Sequence, residues 1–239
     1  MPTQQPVATR ISGLLILRKG SRLTENNSNQ YQGWLFLALA ILFSSFQAVA
    51  GHKDVGYIGS TAYLFYSDPN AISRYDMAAE QWLSPVTLPL ANTGAAMAVH
   101  DSHLFVAIGT QVFRYQADGS NETLVWTQGQ VIGDMVKLGE FLVVSSSDEV
   151  NVISASDYSL VDTFSSYNAR YFAQGMSAAE GSMRVYGKSA GNNPSYLGIM
   201  ELDAAGMILS VDDSPDSRDY PSGKQTFAVP DGSRVIDSG

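Results

Sequence analysis

The chain has 239 residues, no cysteine, and 23 acidic against 14 basic side chains, a formal net charge of −9. Cysteine-free, it excludes a disulfide-stapled module and a cysteine-anchored lipoprotein, and its acidic balance excludes a nucleic-acid binder, which needs clustered Lys and Arg against phosphates. Hydrophobic residues make up 45% of the chain, enough for a packed core and too many for global disorder.

The first fifty residues differ from the rest. They hold Arg10, Arg18, Lys19 and Arg22 against Glu25, a local net of +3, leaving residues 51–239 with a net of −12. Trp34 to Phe43 is an unbroken run of ten apolar residues, shorter than the roughly 20 that a spanning helix needs. Ala48-Val49-Ala50 follows with the small-x-small pattern of a signal-peptidase site. Residues 1–50 are therefore expected to be an N-terminal extension and signal peptide, with the apolar region at 34–43 and cleavage after Ala50. The alternative is an uncleaved N-terminal membrane anchor running from Trp34 to Ala50. Either way residues 51–239 are expected to be exported, to the periplasm, cell surface or medium, with no stable membrane span after cleavage. The nearest upstream positive charge, Arg22, lies far from the apolar run, which fits a translation start later than Met1.

Past Gly51 the chain reads as short apolar runs separated by Gly, Asp, Asn and Ser clusters, the pattern of short antiparallel strands. These runs repeat. "MAVHDSHLFVA" from Met97, "MVKLGEFLVVS" from Met135 and "MSAAEGSMRVY" from Met176 align without a gap, each with a polar or glycine-containing turn at its centre. "YIGSTAYLFYS" from Tyr57 and "FAVPDGSRVID" from Phe227 fit the same template more loosely. In the first four units a third and a fourth run follow, divided by a turn at Asp76-Met77-Ala78-Ala79, Ala117-Asp118-Gly119-Ser120, Ala155-Ser156-Asp157 or Asp203-Ala204-Ala205-Gly206. A repeat of four strands in about 40 residues is the size of a propeller blade. The expected fold is all-β: a β-propeller of four-stranded antiparallel blades, four complete over residues 51–239 and a fifth begun by "VPDGSRVIDSG", in an incomplete ring. A β-sandwich lacks such self-similarity, and a β-helix repeats at shorter intervals.

"AISRYDMAAEQWLSPVTLPLANTGAAMAVHDSHLFVAIGT" resembles a kelch repeat through Tyr75-Asp76, Trp82 and Leu104-Phe105-Val106, with the single Gly109 where kelch blades carry paired glycines. "LVVSSSDEVNVISASDYSLVDTF" is similar to the YVTN or quinoprotein-type (WD40-like) blades of bacterial exported propellers, and "VPDGSRVIDSG" to their closing hairpin. The resemblance implies a generic bacterial exported propeller and selects no subfamily, so it transfers no active site.

Candidate chemistry is sparse. His100 and His103 flank Asp101-Ser102 in a blade's first turn without a third strong ligand nearby, and a solvated turn is the expectation there. Asp212, Asp213, Asp216 and Asp219 crowd a Pro-containing segment able to offer oxygens to Ca²⁺, yet their spacing departs from the known loop pattern and Arg218 sits among them; a solvated loop between units is expected. Tyr63, Tyr66, Tyr115, Tyr171, Phe172 and Tyr186 would suit a carbohydrate-binding face, but strand propensity assigns them to the core. Ser145-Ser146-Ser147 lacks a nucleophile elbow, and no Walker loop, dinucleotide fingerprint or zincin motif occurs. Asn121-Glu122-Thr123 is a formal glycosylation sequon on a turn.

The sequence thus assigns no catalytic residue, no metal site and no cofactor. It points to an exported, non-catalytic module that binds a protein or a carbohydrate, a segment of a larger surface or secreted protein, with self-association through open propeller ends. The alternative is a quinoprotein-like or glycan-active enzyme. Amino-terminal sequencing of the exported product should read from Gly51; an earlier start refutes cleavage after Ala50.

Overall fold

In a computed structural model the described residues are 52–67, 70–88, 94–188, 197–213, 226–229 and 235–237. All fall within the unit Gln47–Gly239, the second of two into which the chain divides. The first blade is formed by β1 (His52–Ile58), β2 (Thr61–Ser67), β3 (Asn70–Asp76) and β4 (Gln81–Thr87). The second comprises β5 (Gly94–His100), β6 (His103–Ile108), β7 (Gln111–Gln116) and β8 (Thr123–Thr127). The third has β9 (Asp134–Leu138), β10 (Phe141–Ser145), β11 (Glu149–Ser154) and β12 (Leu160–Ser165). The fourth has β13 (Gln174–Ala179), β14 (Arg184–Lys188), β15 (Leu197–Leu202) and β16 (Ile208–Asp213). Each is a four-stranded sheet in sequence order, and β17 (Thr226–Ala228) pairs with β18 (Val235–Asp237) as a separate hairpin. All pairings are antiparallel, and the first strands of successive units run beside one another.

Turn chemistry explains the regularity. The hairpin joining first and second strands turns through a left-handed residue in every blade: Gly59 (φ 58°), Asp101 (φ 51°), Gly139 (φ 58°) and Met183 (φ 50°). Glycine takes this conformation without a steric cost and Asp tolerates it. The turn between third and fourth strands uses a carboxylate instead. Asp76 accepts the Ala78 and Ala79 amides at 2.9 and 3.1 Å, Asp118 the Ser120 amide at 2.8 Å, Asp157 the Ser159 amide at 3.1 Å, and Asp203 the Ala205 and Met207 amides, both at 2.8 Å. The Ala79 amide, then that of Ala78, holds the Asp76 carboxyl below the ordinary carboxylate range.

The turns also fix the register, which corrects two details of the sequence alignment. Val55, not Tyr57, occupies the position of Met97 and Met135: Val55 pairs with Leu64, Met97 with Val106 and Met135 with Val144, each about a two-residue turn. In the fourth blade Met183 is a turn residue, and the second strand starts at Arg184. The irregularity between Gln174 and Ser177 absorbs the difference.

Three apolar layers lie between the four blades. Tyr63, Phe65, Ile72 and Val86 of the first blade meet Met97, Leu104, Val106 and Tyr115 of the second. The opposite face of the second, with Phe105, Ala107 and Val112, meets Met135, Leu142, Val144 and Ile153 of the third. Leu138, Val143, Val150 and Val152 of the third pack with Met176, Val185 and Met200 of the fourth. Of the aromatic residues weighed as a carbohydrate face, Tyr63, Tyr115, Tyr171, Phe172 and Tyr186 are all buried; the side chain of Tyr66 lies outside the described set.

A polar clasp recurs at the innermost strands. Asp54 accepts the amide of Met97 in the next blade at 2.7 Å, and Asp134 accepts that of Met176 at 2.7 Å. The other oxygen of Asp134 accepts the Met135 amide at 2.8 Å. The second blade has Ala96 in this position, so the interface between the second and third blades is made without it. Asp134→Ala strips a buried amide of a charged acceptor and is expected to cost about 2–3 kcal/mol. Urea unfolding should show the lowered midpoint at unchanged slope, with a smaller loss for Asp54→Ala, whose bond is only part-buried.

Candidate binding face

Two loops cross from one blade to the next at the same end of the described assembly. Residues 128–133 link β8 to β9, and residues 166–173 link β12 to β13. The turns between second and third strands, including 109–110 and 146–148, lie at this end too, because β9 begins opposite the end of β10.

The first crossing loop is anchored by backbone. Gln128 N donates to Thr110 O at 3.0 Å, Ile132 N to Gly109 O at 2.8 Å and Gly133 N to Ser145 O at 2.8 Å. The second holds a 3-10 helix, Tyr167–Phe172, capped where Ser166 Oγ accepts the Asn168 amide. That helix sits on a cross-strand pair of glycines, Gly187 and Gly198. A Cβ at Gly187 would lie 2.6 Å from the Tyr171 carbonyl oxygen, and one at Gly198 would lie 2.7 Å from Tyr171 Cβ. The two loops also touch: a side chain at Gly133 would collide with the Ala173 carbonyl, and Ser145 Oγ donates to Phe172 O at 2.6 Å.

A polar network stiffens the rim around them. Asn151, buried, donates to Glu149 Oε1 at 2.6 Å and Gln128 Oε1 at 3.3 Å, and accepts from Thr163 Oγ1 at 2.8 Å. Ser147 Oγ donates to Gln130 Oε1 at 2.9 Å, and Gln130 Nε2 donates to Asp148 Oδ2 at 3.4 Å. On this frame stand the two most exposed large apolar side chains among the described residues, Val131 at 68% and Tyr167 at 70%. The Arg170 guanidinium carbon lies 3.4 Å from the Tyr167 ring centroid, a cation–π stack that presents both groups together. Such an arrangement offers aromatic and cationic contact within an acidic and amide rim.

His100 and His103 stand at the opposite end, flanking the hairpin between β5 and β6. His100 is buried rather than solvated, with Nε2 3.5 Å from Glu140 of the third blade and 3.7 Å from the exposed Asp101. The expectation of a solvated turn fails at His100 because the neighbouring blade's hairpin covers it. Among the described residues no three His, Asp or Glu side chains gather as a metal set. Asp212 is exposed on β16, while Asp216 and Asp219 of the proposed Ca²⁺ segment lie outside the described residues. Val131, Tyr167 and Arg170 were not singled out by sequence, since an exposed apolar residue on a loop has no periodic signature.

No protein-family model matches the sequence, and no curated protein matches it. Among solved structures, a chain of hydrazine synthase from Kuenenia stuttgartiensis has a similar fold, with a TM-score of 0.58 and 14% identity over 79% of this chain. The fold is a β-propeller. The aligned region is 55% of that hydrazine synthase chain, and at this identity the likeness carries the fold alone. A chain in the crystal structure of a mitotic checkpoint complex aligns over 80% of this chain and 75% of its own at 9% identity, with a TM-score of 0.48.

Gly198→Val would drive a branched side chain into the propeller's 3-10 helix, at an expected cost of about 1–3 kcal/mol. Thermal unfolding should show the loss, and limited proteolysis should show faster cutting within residues 166–173; unchanged cutting would mean that the glycine pair does not seat the helix.

Proposed function

We propose that this chain is an exported, non-catalytic β-propeller that binds a protein through the end bearing Val131, Tyr167 and Arg170. The observation that carries this reading is the placement of the two most exposed large apolar side chains on the two crossing loops of one end. Tyrosine and arginine supply much of the energy of protein interfaces, and a rigid ring of strands holds loops in place at no cost to the core. Asp148 and Glu149 border the patch, so the partner surface would place Lys or Arg around an apolar centre. Export rests on the apolar run and small-x-small site at residues 34–50.

The test is selection of peptides from a displayed library on the immobilised chain, followed by fluorescence anisotropy with the selected peptides. Tyr167→Ala should weaken binding by about 30-fold, the equivalent of a 2 kcal/mol hot spot, with no change in melting temperature. Binding to a glycan array with no peptide recovered would transfer the face to carbohydrate. Peptides that bind Tyr167→Ala and Arg170→Ala as tightly as the parent chain would place the site elsewhere.

A further inference from the structure

Among the described residues, every arginine but one meets an acceptor of its own chain. Arg74 Nε donates to Ser84 O at 2.7 Å, Arg114 Nη1 to Tyr158 Oη at 2.7 Å, and Arg184 Nη2 to Glu201 Oε2 at 2.9 Å. Arg170 meets only rings: its guanidinium carbon lies 3.4 Å from the Tyr167 centroid and 5.5 Å from that of Tyr171. Its Nε is covered by protein and has no hydrogen-bond partner. Its Nη atoms form no bond among the described residues either and, unlike Nε, they are open to solvent. Yet the chain carries 23 acidic side chains and a net charge of −9. The carboxylates of the same rim are engaged elsewhere. Glu149 accepts from Asn151 Nδ2 at 2.6 Å and Ser165 Oγ at 3.4 Å, and Asp148 accepts from Gln130 Nε2 at 3.4 Å.

Stacking and hydrogen bonding use different parts of a guanidinium. An aromatic ring takes its flat face, while its N–H donors point outward in the plane. Tyr167 therefore orients the fork without consuming it, and the capped 3-10 helix seated over Gly187 and Gly198 holds the pair in place. A fork held this way loses little rotamer freedom when it binds. With Nε covered, the edge on offer is Nη1–Nη2, whose two parallel N–H bonds match the two oxygens of a carboxylate. Charge selects among anions. Phosphate-reading sites gather several arginines, whereas here one guanidinium stands on a rim that carries Asp148 and Glu149. A dianion meets repulsion there that a singly charged carboxylate largely escapes.

We propose that Arg170 is the receptor for one Asp or Glu side chain of the partner, set beside the apolar residue that packs on Val131 and Tyr167. This rests on the peptide-binding reading of that end and sharpens it. The partner segment carries a single acid next to its apolar anchor, inside the basic surroundings that Asp148 and Glu149 favour.

Display selection run in parallel on the parent chain and on Arg170→Met, which keeps an apolar stem over Tyr167, gives the first test. Peptides from the parent should share an acidic residue at a fixed distance from an apolar one; those from Arg170→Met should not. One parent-selected peptide, made as a C-terminal amide so that only a side chain supplies the carboxylate, is then measured by fluorescence anisotropy. Replacing its acid by the matching amide should weaken binding to the parent about 10-fold or more, and to Arg170→Met less than about 2-fold. Arg170→Lys, which keeps the charge and loses the planar fork, should recover only part of the loss, and it stands in should Arg170→Met fail to fold. Equal effects of the amide on parent and variant, with Tyr167→Ala still weakening binding, overturn the carboxylate receptor and leave the binding face standing. Tyr167→Ala without effect removes the face and the receptor with it. A phosphoserine in place of the acid should bind no more tightly; tighter binding overturns the carboxylate in favour of phosphate.

Discussion

A four-stranded sheet that is apolar on both faces cannot stand alone in water, and everything else in this chain follows from that. Ala62 to Phe65, Leu104 to Ile108 and Leu142 to Ser145 are buried without a break along the second strands, so alternate residues on both faces need cover. Stacking like on like satisfies both faces at once, because each blade's forward face is the complement of the next blade's rear face. Without a disulfide, these layers and the hydrogen bonds between blades carry the cohesion of the fold.

The layers are not equivalent. Between the first and second blades the part-buried Asp54, and between the third and fourth the buried Asp134, ties innermost strand to innermost strand through a backbone amide. Between the second and third, alanines at 96, 98, 107 and 155 line the layer. A polar link there joins other strands, where Arg114 Nη1 donates to Tyr158 Oη at 2.7 Å. An aspartate can clasp only where an amide of the next strand faces it. Ala96 stands where the second blade would need that aspartate, so the layer there is closed by apolar packing, and the Met135 amide is taken by Asp134 of its own strand.

The architecture was legible because its signals are local and repeat: apolar runs of strand length, Gly or Asp at hairpin turns, and an Asp opening the turn between third and fourth strands. The register of the first unit was not. Side chains alternate faces with a period of two, so a slip of two residues returns each apolar side chain to its own face and the pattern looks equally good. Asp54 and Asp134 break the degeneracy: once "DVGYIG" is set against "DMVKLG", Gly59 falls on Gly139 and Val55 on Met135. The six-residue 3-10 helix "YNARYF" has no such local signal, for another reason. Its position depends on two glycines in strands that follow it in the chain, a long-range steric allowance that no window of the sequence contains.

The binding face was illegible for a related reason, and it shows how this fold separates stability from recognition. Tyr171 and Phe172 face the fourth blade, while Tyr167, one turn earlier in the same short helix, faces solvent with Arg170 stacked on it. Composition alone assigns all three aromatics to one class. The distinction comes from the seat: Gly187 and Gly198 admit one side of the helix, and a 3-10 turn then turns the other side outward. The residues that secure the loop are thus different from those that it displays, and the second set can vary while the first holds the blades together.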